Sequence, residues 1–232
     1  MDLIWDGIRE AVRLIVRGDR ELLEVVARSL VISGSATLVS LALGVAVGST
    51  LALTRFPGRR LLITLVNTGM GLPPVVAGLL VAALLWRSGP LGALGLMYTP
   101  AAMVIAQVVI AFPIVTGFTV AALGSLPPRL RLQLYGLGAS RFQMLWTLLR
   151  EARMPLLAAV MAGFGAVISE IGASQMVGAN IPGETRVMTT WIVFLVGRGE
   201  FGPAFAVGFI LLLLVFAVNL ILTTIQQRER FR

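Results

Sequence analysis

Five long apolar stretches dominate the pattern of hydrophobic and polar positions along this chain. They cover 29–53, 61–86, 99–123, 154 to about 180, and 203–225. Each is close to the roughly 20 apolar residues that an α-helix needs to cross a bilayer. Four of them contain no charged residue, and the fourth along the chain contains only Glu170. The pattern predicts an all-α, polytopic membrane protein with five transmembrane helices, and the shorter apolar run 187–197 is a possible sixth, re-entrant or interfacial, segment.

The first 28 residues have a different pattern, because apolar and charged side chains alternate with helical spacing. Ile8, Val12, Ile15 and Val16 share one face, and Gly18-Asp19 can end one helix and cap the next. This predicts an N-terminal amphipathic helix that lies at the membrane interface, over a segment bounded at 1–28. A targeting or partner-recognition role is the alternative for this segment.

Residues 127–155 form the only long charged segment between two apolar spans. Pro128 suits a first helical position, Gly136 and Gly138 can adopt the left-handed conformation that ends a helix, and Ser140 with Gln143 makes a capping box. The segment is therefore predicted to be a hairpin of two short helices within the transmembrane domain 29–225. A membrane protein that is driven by a soluble partner needs such a rigid, exposed element.

Arginine is concentrated in three connections: 54–60, the hairpin, and the short basic tail 226–232. With five spans these three regions lie on the same side of the membrane. Because basic loops stay in the cytoplasm, the hairpin and the C-terminus are predicted to be cytoplasmic and the N-terminus to be outside. The protein is accordingly predicted to be a multi-pass protein of the inner, cytoplasmic membrane.

The composition excludes several kinds of chemistry. All 19 basic residues are arginine, and the chain has no lysine, histidine or cysteine. A phosphate-binding loop needs a lysine, a serine or cysteine hydrolase usually needs a histidine base, and metal sites favour cysteine and histidine. We therefore expect no catalytic residue, no metal site and no cofactor in this chain, and if ATP and Mg²⁺ are used another subunit must bind them.

Prolines interrupt two of the spans. Pro73-Pro74 falls in the middle of the second span and Pro113 in the third. Each proline removes a helical hydrogen bond, and the freed carbonyl groups must be satisfied by neighbouring helices or by water in a cavity. Such bends can line a transport pathway, although a kinked helix that merely packs well is the alternative. Gly44 and Gly48 form a GxxxG pattern that permits close helix packing.

Glu170 is the one ionisable residue inside a span, and burial of an unpaired carboxylate is costly enough to make it a functional candidate. The structural alternative is a hydrogen bond to the backbone amides of the turn at 172–174. Both interpretations remain open at this point. On the outer side, Arg186 and Arg198 could steer an anion or dock an acidic protein, but a solvated arginine without a special role is the favoured interpretation of each.

The hairpin sequence GLGASRFQMLWTLLREARMP resembles the cytoplasmic coupling loop of binding-protein-dependent ABC importer permeases, with Gly138 at the signature glycine. Two details differ from the family pattern: 132–134 is Leu-Gln-Leu instead of Glu-Ala-Ala, and Pro155 comes about one helical turn late. The LPP at 72–74 and the elements E-x-G-A and G-x-N-I-x-G-x-T-R, which begin at Glu170 and Gly178, are similar to the permease subunits of tungstate importers, a subfamily close to molybdate permeases. The resemblance covers 30–225.

This resemblance implies a type I ABC importer permease fold and a transport subunit that is not itself an enzyme. Its implied partners are a second copy of the chain, two cytosolic ATPase subunits, an extracytoplasmic solute-binding protein and membrane lipid, with no role for nucleic acid. The residues implied to couple to the ATPase are Gly138, Ala139, Ser140, Arg141, Phe142, Glu151 and Arg153. The candidates for the pathway or its gate are Pro73, Pro74, Pro113, Glu170, Gly172 and Asn180.

Tungstate is the cargo that the resemblance favours. The same machinery could import molybdate, sulfate or an amino acid such as methionine. A secondary transporter is the alternative from a different class, and it would predict inverted repeats and several intramembrane carriers of coupling ions.

Overall fold

The computed structural model describes residues 2–230, and every regular element in that range is helical. Two of the eleven α-helices form the hairpin, and a single 3₁₀ turn, Gly92–Leu94, precedes α5. The helices are α1 Asp2–Arg17, α2 Arg20–Leu53, α3 Arg59–Met70, α4 Pro74–Leu85, α5 Pro100–Gly124, α6 Pro128–Gly136, α7 Arg141–Glu151, α8 Arg153–Ile168, α9 Gly172–Gly178, α10 Met188–Gly197 and α11 Phe201–Arg230. The all-α prediction is confirmed.

Three helices, α2, α5 and α11, are each long and apolar enough to cross a membrane alone. The pairs α3–α4 and α7–α8 pass the same test when they are taken together, and they bend by 107° and 70°. The first, third and fifth predicted spans are these single helices, and the second is the bent pair α3–α4. The fourth, predicted at 154–180, corresponds to α8 and α9, so the pair α7–α8 contains the second half of the hairpin together with the start of this span. The short run predicted at 187–197 is the ten-residue helix α10.

Two of the spans are more broken than the sequence indicated. The second is interrupted completely between Met70 and Pro74, whereas a single proline-kinked helix was expected. The fourth ends as a continuous helix at Ile168, resumes at Gly172 and stops at Gly178. Both breaks leave backbone groups that neighbouring elements must satisfy.

The N-terminal helix ends at Arg17, where Gly18 has a φ of +61° and the Asp19 carboxylate accepts a hydrogen bond from Leu22 N at 2.9 Å. From Arg20 onward α2 continues without interruption, so residues 20–28 are the first turns of the first span. Helix α1 packs closely on α11, since a Cβ at Gly7 would lie 2.4 Å from the Cβ of Phe205. Its position at the membrane surface stays a prediction. The C-terminal tail begins as the last turn of α11, and residues 231–232 lie outside the described residues.

Helix α5 is the centre of the bundle and packs against α2, α3, α4, α8 and α9. Gly44 and Gly48 bring α2 very close to it. A Cβ at Gly44 would lie 2.8 Å from a methyl carbon of Val115, and one at Gly48 would lie 2.7 Å from the Cβ of Thr119. Without a hydrophobic driving force between helices in lipid, such close packing of small residues is a main source of helix association.

Three other helices approach α5 in the same way. A Cβ on Gly69 of α3 would lie 2.9 Å from Pro113, and one on Gly163 of α8 would lie 3.1 Å from Val115. On α9, a Cβ at Gly178 would lie 2.8 Å from the sulfur of Met103. Glycine therefore permits close packing on several sides of α5.

The α2–α5 contact can be tested with two alanine substitutions in the same helix. Gly48→Ala should destabilise the protein by about 1–3 kcal/mol, because the new methyl group would overlap Thr119 and the Thr116 carbonyl oxygen, which lies 2.9 Å away. Gly34→Ala is the control. It has open space around the new Cβ and should stabilise the helix by about 0.5–1 kcal/mol. Thermal unfolding of the detergent-purified protein measures both, and equal effects would refute the close contact.

Candidate functional site

The hairpin has the conformation that its sequence predicts. Pro128 is the first residue of α6, and Gly138 adopts a left-handed φ of +74° in the turn that follows this helix. The amides of Gly138 and Ala139 donate to the carbonyl groups of Tyr135 and Leu134, each at 3.0 Å. Gly136 is the last residue of α6 and does not have a positive φ. A single glycine therefore reverses the chain.

The capping box at the start of α7 is confirmed. The Gln143 amide donates to Ser140 Oγ at 3.3 Å, and the Ser140 amide donates to Gln143 Oε1 at 2.9 Å. These reciprocal bonds satisfy two amide groups that would otherwise lack a partner at the helix N-terminus. The N-terminal end of α7, where the predicted coupling residues Ser140, Arg141 and Phe142 lie, is therefore stabilised by side-chain caps.

The inner face of the hairpin is anchored in the bundle. Leu148 of α7 and Ala152 at the α7–α8 bend are fully buried and form one cluster with Ala122 and Leu123 at the end of α5. Arg131 of α6 also donates through Nη2 to the carbonyl oxygen of Leu53, at 2.9 Å, where α2 ends. The hairpin is therefore packed against the end of α5 and the start of α8.

The outer face of the hairpin carries large apolar side chains that are mostly exposed, which we call the outer hairpin patch. Its members are Leu132, Leu137, Phe142 and Trp146, while Tyr135, which is also exposed, lines the cleft between the hairpin and α2. Several large exposed apolar side chains in one short segment are typical of a site of interaction with a protein or a membrane. Only Phe142 was singled out from the sequence. The sequence signal for Trp146 was an aromatic side chain in a charged connection, whereas Leu132 and Leu137 gave no such signal.

The predicted coupling residues fall into two groups. Gly138, Ala139, Ser140, Arg141 and Phe142 occupy the turn and the start of α7. Glu151 and Arg153 flank the bend at its other end, about 15 Å away at 1.5 Å per helical residue. The structure does not bring these two groups together, because they lie at opposite ends of α7.

The two interrupted spans meet at their breaks. Pro73 caps α4, and Pro74 is its first residue. One turn further on, a Cβ at Gly78 would lie 2.6 Å from the Cα of Ala173 in α9. A Cβ at Gly172 would lie 2.6 Å from a methyl carbon of Val75. Four of the pathway candidates are therefore neighbours, and a fifth, Pro113, packs on Gly69 of α3, just before the same break.

Glu170 lies in the break between α8 and α9 and is only 7% exposed. Its Oε1 accepts a hydrogen bond from the Ala173 amide at 2.9 Å, and its carbonyl oxygen accepts one from Thr189 Oγ1 at 2.9 Å. The carboxylate thus caps the first turn of α9. This is the turn at 172–174 to which the structural alternative assigned its hydrogen bond. A role as a gate stays a prediction.

Asn180 belongs to the tight loop that joins α9 to α10. Its φ is +55°, a conformation that asparagine tolerates better than most residues, and its Oδ1 accepts from Thr190 Oγ1 at 3.0 Å. Thr185 closes the loop, because its hydroxyl accepts from the Ile181 amide at 2.9 Å and donates to the Gly178 carbonyl oxygen. The bonds of Asn180 are therefore those of a structural residue in this loop.

The expectation that Arg186 is a solvated arginine is wrong. Arg186 is 8% exposed, its Nη1 lies 2.7 Å from Glu21 Oε1, and its guanidinium lies 5.8 Å and 5.1 Å from the ring centroids of Trp191 and Phe194. A buried guanidinium requires a charged partner, and Glu21 on α2 supplies it. Sequence reasoning missed this pair because its members are 165 positions apart.

Arg28 strengthens the same connection. Its guanidinium donates to the carbonyl oxygens of Gly183, at 2.7 Å, and Arg186, at 3.0 Å. The loop before α10 is consequently fastened to α2 by two arginines. Arg198, by contrast, has an exposed side chain and pairs with Glu200 at 2.8 Å.

The apolar helices, the two broken spans and the exposed hairpin together define a multi-pass membrane protein with the type I ABC importer permease fold. A family model described as "Binding-protein-dependent transport system inner membrane component" matches residues 41–231. The chain belongs to this family, whose members are transport subunits.

Individual relatives cover nearly the whole chain. The tungstate uptake system permease protein TupB of Peptoclostridium acidaminophilum is 35% identical over 98% of this chain and 100% of its own length. A probable anion ABC transporter permease protein of Haloferax volcanii is 36% identical over 85% of this chain and 88% of its own. Among solved structures, the MetNI methionine ABC transporter in an inward-facing form is similar in fold, with a TM-score of 0.70 and 21% identity over 94% of this chain and 96% of that one.

Two substitutions at Glu170 separate the shape of the side chain from its charge. Glu170→Gln keeps an oxygen that can accept from the Ala173 amide, so its stability should stay close to that of the wild type. Glu170→Ala leaves this buried amide without its side-chain acceptor and should cost about 1–3 kcal/mol. Thermal unfolding in detergent distinguishes the variants, and a loss of stability in Gln as large as in Ala would contradict a capping role.

Proposed function

We propose that this chain is the permease subunit of a binding-protein-dependent ABC importer for an oxyanion, and that tungstate is the favoured cargo. The observation that carries the proposal is the end-to-end similarity to the tungstate permease of P. acidaminophilum, which leaves no segment of that protein unmatched. The similarity to the archaeal anion permease supports the wider class of cargo.

Energy comes from two cytosolic ATPase subunits that bind ATP and Mg²⁺, since this chain has no lysine for a phosphate-binding loop. The outer hairpin patch is the surface on which an ATPase docks. Leu148 and Ala152 then carry the displacement to α5 and α8. For a nearly complete switch between two permease conformations, the ATPase must favour one of them by about 5.5 kcal/mol.

The hairpin lies on the cytoplasmic side, with the N-terminus outside and the C-terminus inside the inner membrane. Two contacts support this orientation, because they bring the arginine-rich segments to the same end of the bundle. Arg131 of the hairpin bonds to the carbonyl group of Leu53, just before the connection 54–60. Arg153 and Ile225 line a common groove, which places the end of α11 there as well. Basic connections at one end are typical of the cytoplasmic side.

A second copy of the chain completes the pathway, and a solute-binding protein delivers the anion at the opposite end. The helix breaks near Pro73-Pro74 and near Gly172 pack together and provide non-helical backbone along this route. Pro113 lies next to the first of these breaks. Glu170 repels an anion and therefore suits a gate or a helix tether better than a ligand. Asn180 contributes to this route by stabilising the loop that joins α9 to α10.

Molybdate, sulfate or an amino acid such as methionine are the alternative cargoes for the same machinery. The likeness to the methionine transporter carries no weight for methionine, since at 21% identity it shows the fold alone. A secondary transporter is disfavoured by the family match and by the exposed hairpin, which such a transporter does not need.

The coupling surface can be tested with two tryptophans of almost equal exposure. Trp146, in the outer hairpin patch, is 63% exposed, and Trp5, on α1, is 61% exposed. With the complete transporter in proteoliposomes, Trp146→Ser should lower uptake about tenfold or more, because the loss of a large aromatic anchor from an interface costs about 2 kcal/mol. Trp5→Ser should leave uptake nearly unchanged.

Both variants should keep the unfolding temperature of the wild type, since both side chains point away from the bundle. Wild-type uptake in Trp146→Ser would place the ATPase elsewhere. Equal losses in the two variants would show that the effect is not specific to the hairpin.

The cargo is tested by ATP hydrolysis in the same preparation with its binding protein present. We expect tungstate to stimulate hydrolysis at a lower concentration than molybdate, and sulfate or methionine to have little effect. Stimulation by methionine alone would overturn the assignment of an oxyanion.

A further inference from the structure

Two neighbouring cavities lie between α2 and the elements around the hairpin. The first, the apolar groove, has a volume of about 540 Å³ and is bounded by α2, α8 and the end of α11, through residues such as Leu41, Leu157, Val160 and Ile225. The second, the hairpin cleft, has a volume of about 980 Å³ and lies between the last turns of α2 and the hairpin. Ala42, Val45 and Leu149 line both cavities, so the two are adjacent.

The polarity of the walls changes from one cavity to the other. Apart from Arg153, the apolar groove is lined by aliphatic side chains. The hairpin cleft adds hydroxyl groups and two arginines, Arg131 and Arg141. Neither set of lining residues contains an acidic side chain. The combined space is therefore apolar at one end and polar and cationic at the other.

A buried polar atom in the hairpin cleft lacks a partner. Ser49 is 4% exposed, and its Oγ is enclosed without any hydrogen bond. The neighbouring hydroxyl groups of Thr50 and Thr54 differ, because they donate to carbonyl groups one turn back, at 2.9 Å and 2.6 Å. Because the Ser49 Oγ is enclosed by protein atoms, the polar groups that a ligand in the cleft can reach are the arginines and the exposed hydroxyl groups of residues such as Thr50 and Thr54.

Arg131 can donate hydrogen bonds to a ligand in the hairpin cleft. Its Nη2 donates to the Leu53 carbonyl oxygen, and a guanidinium has five N–H donors in all. That bond also fixes the position of the side chain at the wall of the cleft. Arginine held in this way is well suited to phosphate oxygens.

We propose that an anionic phospholipid of the cytoplasmic leaflet occupies this space, with an acyl chain in the apolar groove and its phosphate in the hairpin cleft near Arg131. The proposal rests on the proposed orientation, which puts the hairpin at the cytoplasmic face. A free phosphate or other oxyanion would share the cationic end but would leave the apolar groove unfilled. The lipid links α2 to the coupling hairpin, so the anionic content of the membrane tunes the coupling.

The test uses the complete transporter with its ATPase, reconstituted in nanodiscs of phosphatidylglycerol and phosphatidylcholine, then extracted and analysed by native mass spectrometry for retained lipid. The wild type should retain more phosphatidylglycerol than phosphatidylcholine. Arg131→Gln should lower the retention of phosphatidylglycerol about fivefold. This is the contribution to binding that one basic residue makes near an anionic membrane surface. Arg129→Gln, in the same helix but not in the wall of the cleft, is the control and should retain as much as the wild type.

A second variant acts through shape instead of charge. Ala42→Phe places a ring where the two cavities join and should reduce the retention of both lipids, without a change in the ratio of their head groups. Equal retention of the two lipids by the wild type, or wild-type retention in both Arg131→Gln and Ala42→Phe, would overturn the proposal.

Two further arms separate the other occupants. If excess inorganic phosphate raises the unfolding temperature of the wild type but not of Arg131→Gln, and no lipid is retained, the cleft binds a free anion and the lipid proposal fails. The chain has no cysteine, so Ala42→Cys can be cross-linked alone. Efficient cross-linking to the same cysteine in a second copy would show that the partner subunit fills the groove. Uptake and ATP hydrolysis by the wild type are measured separately, so failure here leaves the transport function standing.

Discussion

The structure depends on the close approach of α5 to its neighbours at glycine residues. Gly44 and Gly48 on α2, and Gly163 on α8, let these helices approach closely enough that a methyl group at any of the three would crowd α5. Such approach is what stabilises helix pairs in lipid, where burial of apolar surface gives little. Because α5 is held in this way and ends at Ala122 and Leu123, against which Leu148 of the hairpin packs, a force on the hairpin acts on a rigid centre.

The interruptions of the helices are arranged differently from this rigid centre. The break before Pro74 and the break at 169–171 pack on each other, and the second is capped by Glu170. Backbone that leaves the helix at membrane depth is tolerated only where protein or water satisfies it. The bundle therefore combines a continuous helix that resists deformation with paired breaks where segments can reorient, which is the combination that an alternating transport pathway needs.

Local rules made much of this fold predictable. The capping box at Ser140, the left-handed Gly138 and the spans follow from residues within a few positions of one another. The 107° bend did not follow, because the sequence shows where a proline can break a helix, whereas the angle depends on the packing of α9 on α4. Arg186 was misjudged for the same reason, since its partner Glu21 is distant in sequence. The exposure of Trp146 equally required knowledge of which face of α7 is buried.

The two ends of α2 differ in how firmly they are attached, and this difference determines where the molecule can move. At the N-terminal end of α2, Arg28 makes two bonds to the loop before α10, Arg186 pairs with Glu21, and the Met188 amide donates to Ser29 Oγ at 3.0 Å. At the hairpin end, a single hydrogen bond between residues 2–230 joins α2 to the hairpin, from Arg131 to the Leu53 carbonyl oxygen, beside an open cleft. At about 1 kcal/mol for each bond, the first attachment approaches the ~5.5 kcal/mol of a complete conformational switch and the second is far below it. Motion of the hairpin relative to α2 is therefore opposed by fewer hydrogen bonds than motion of the loop before α10, while the contacts at Gly44 and Gly48 keep α2 itself against α5.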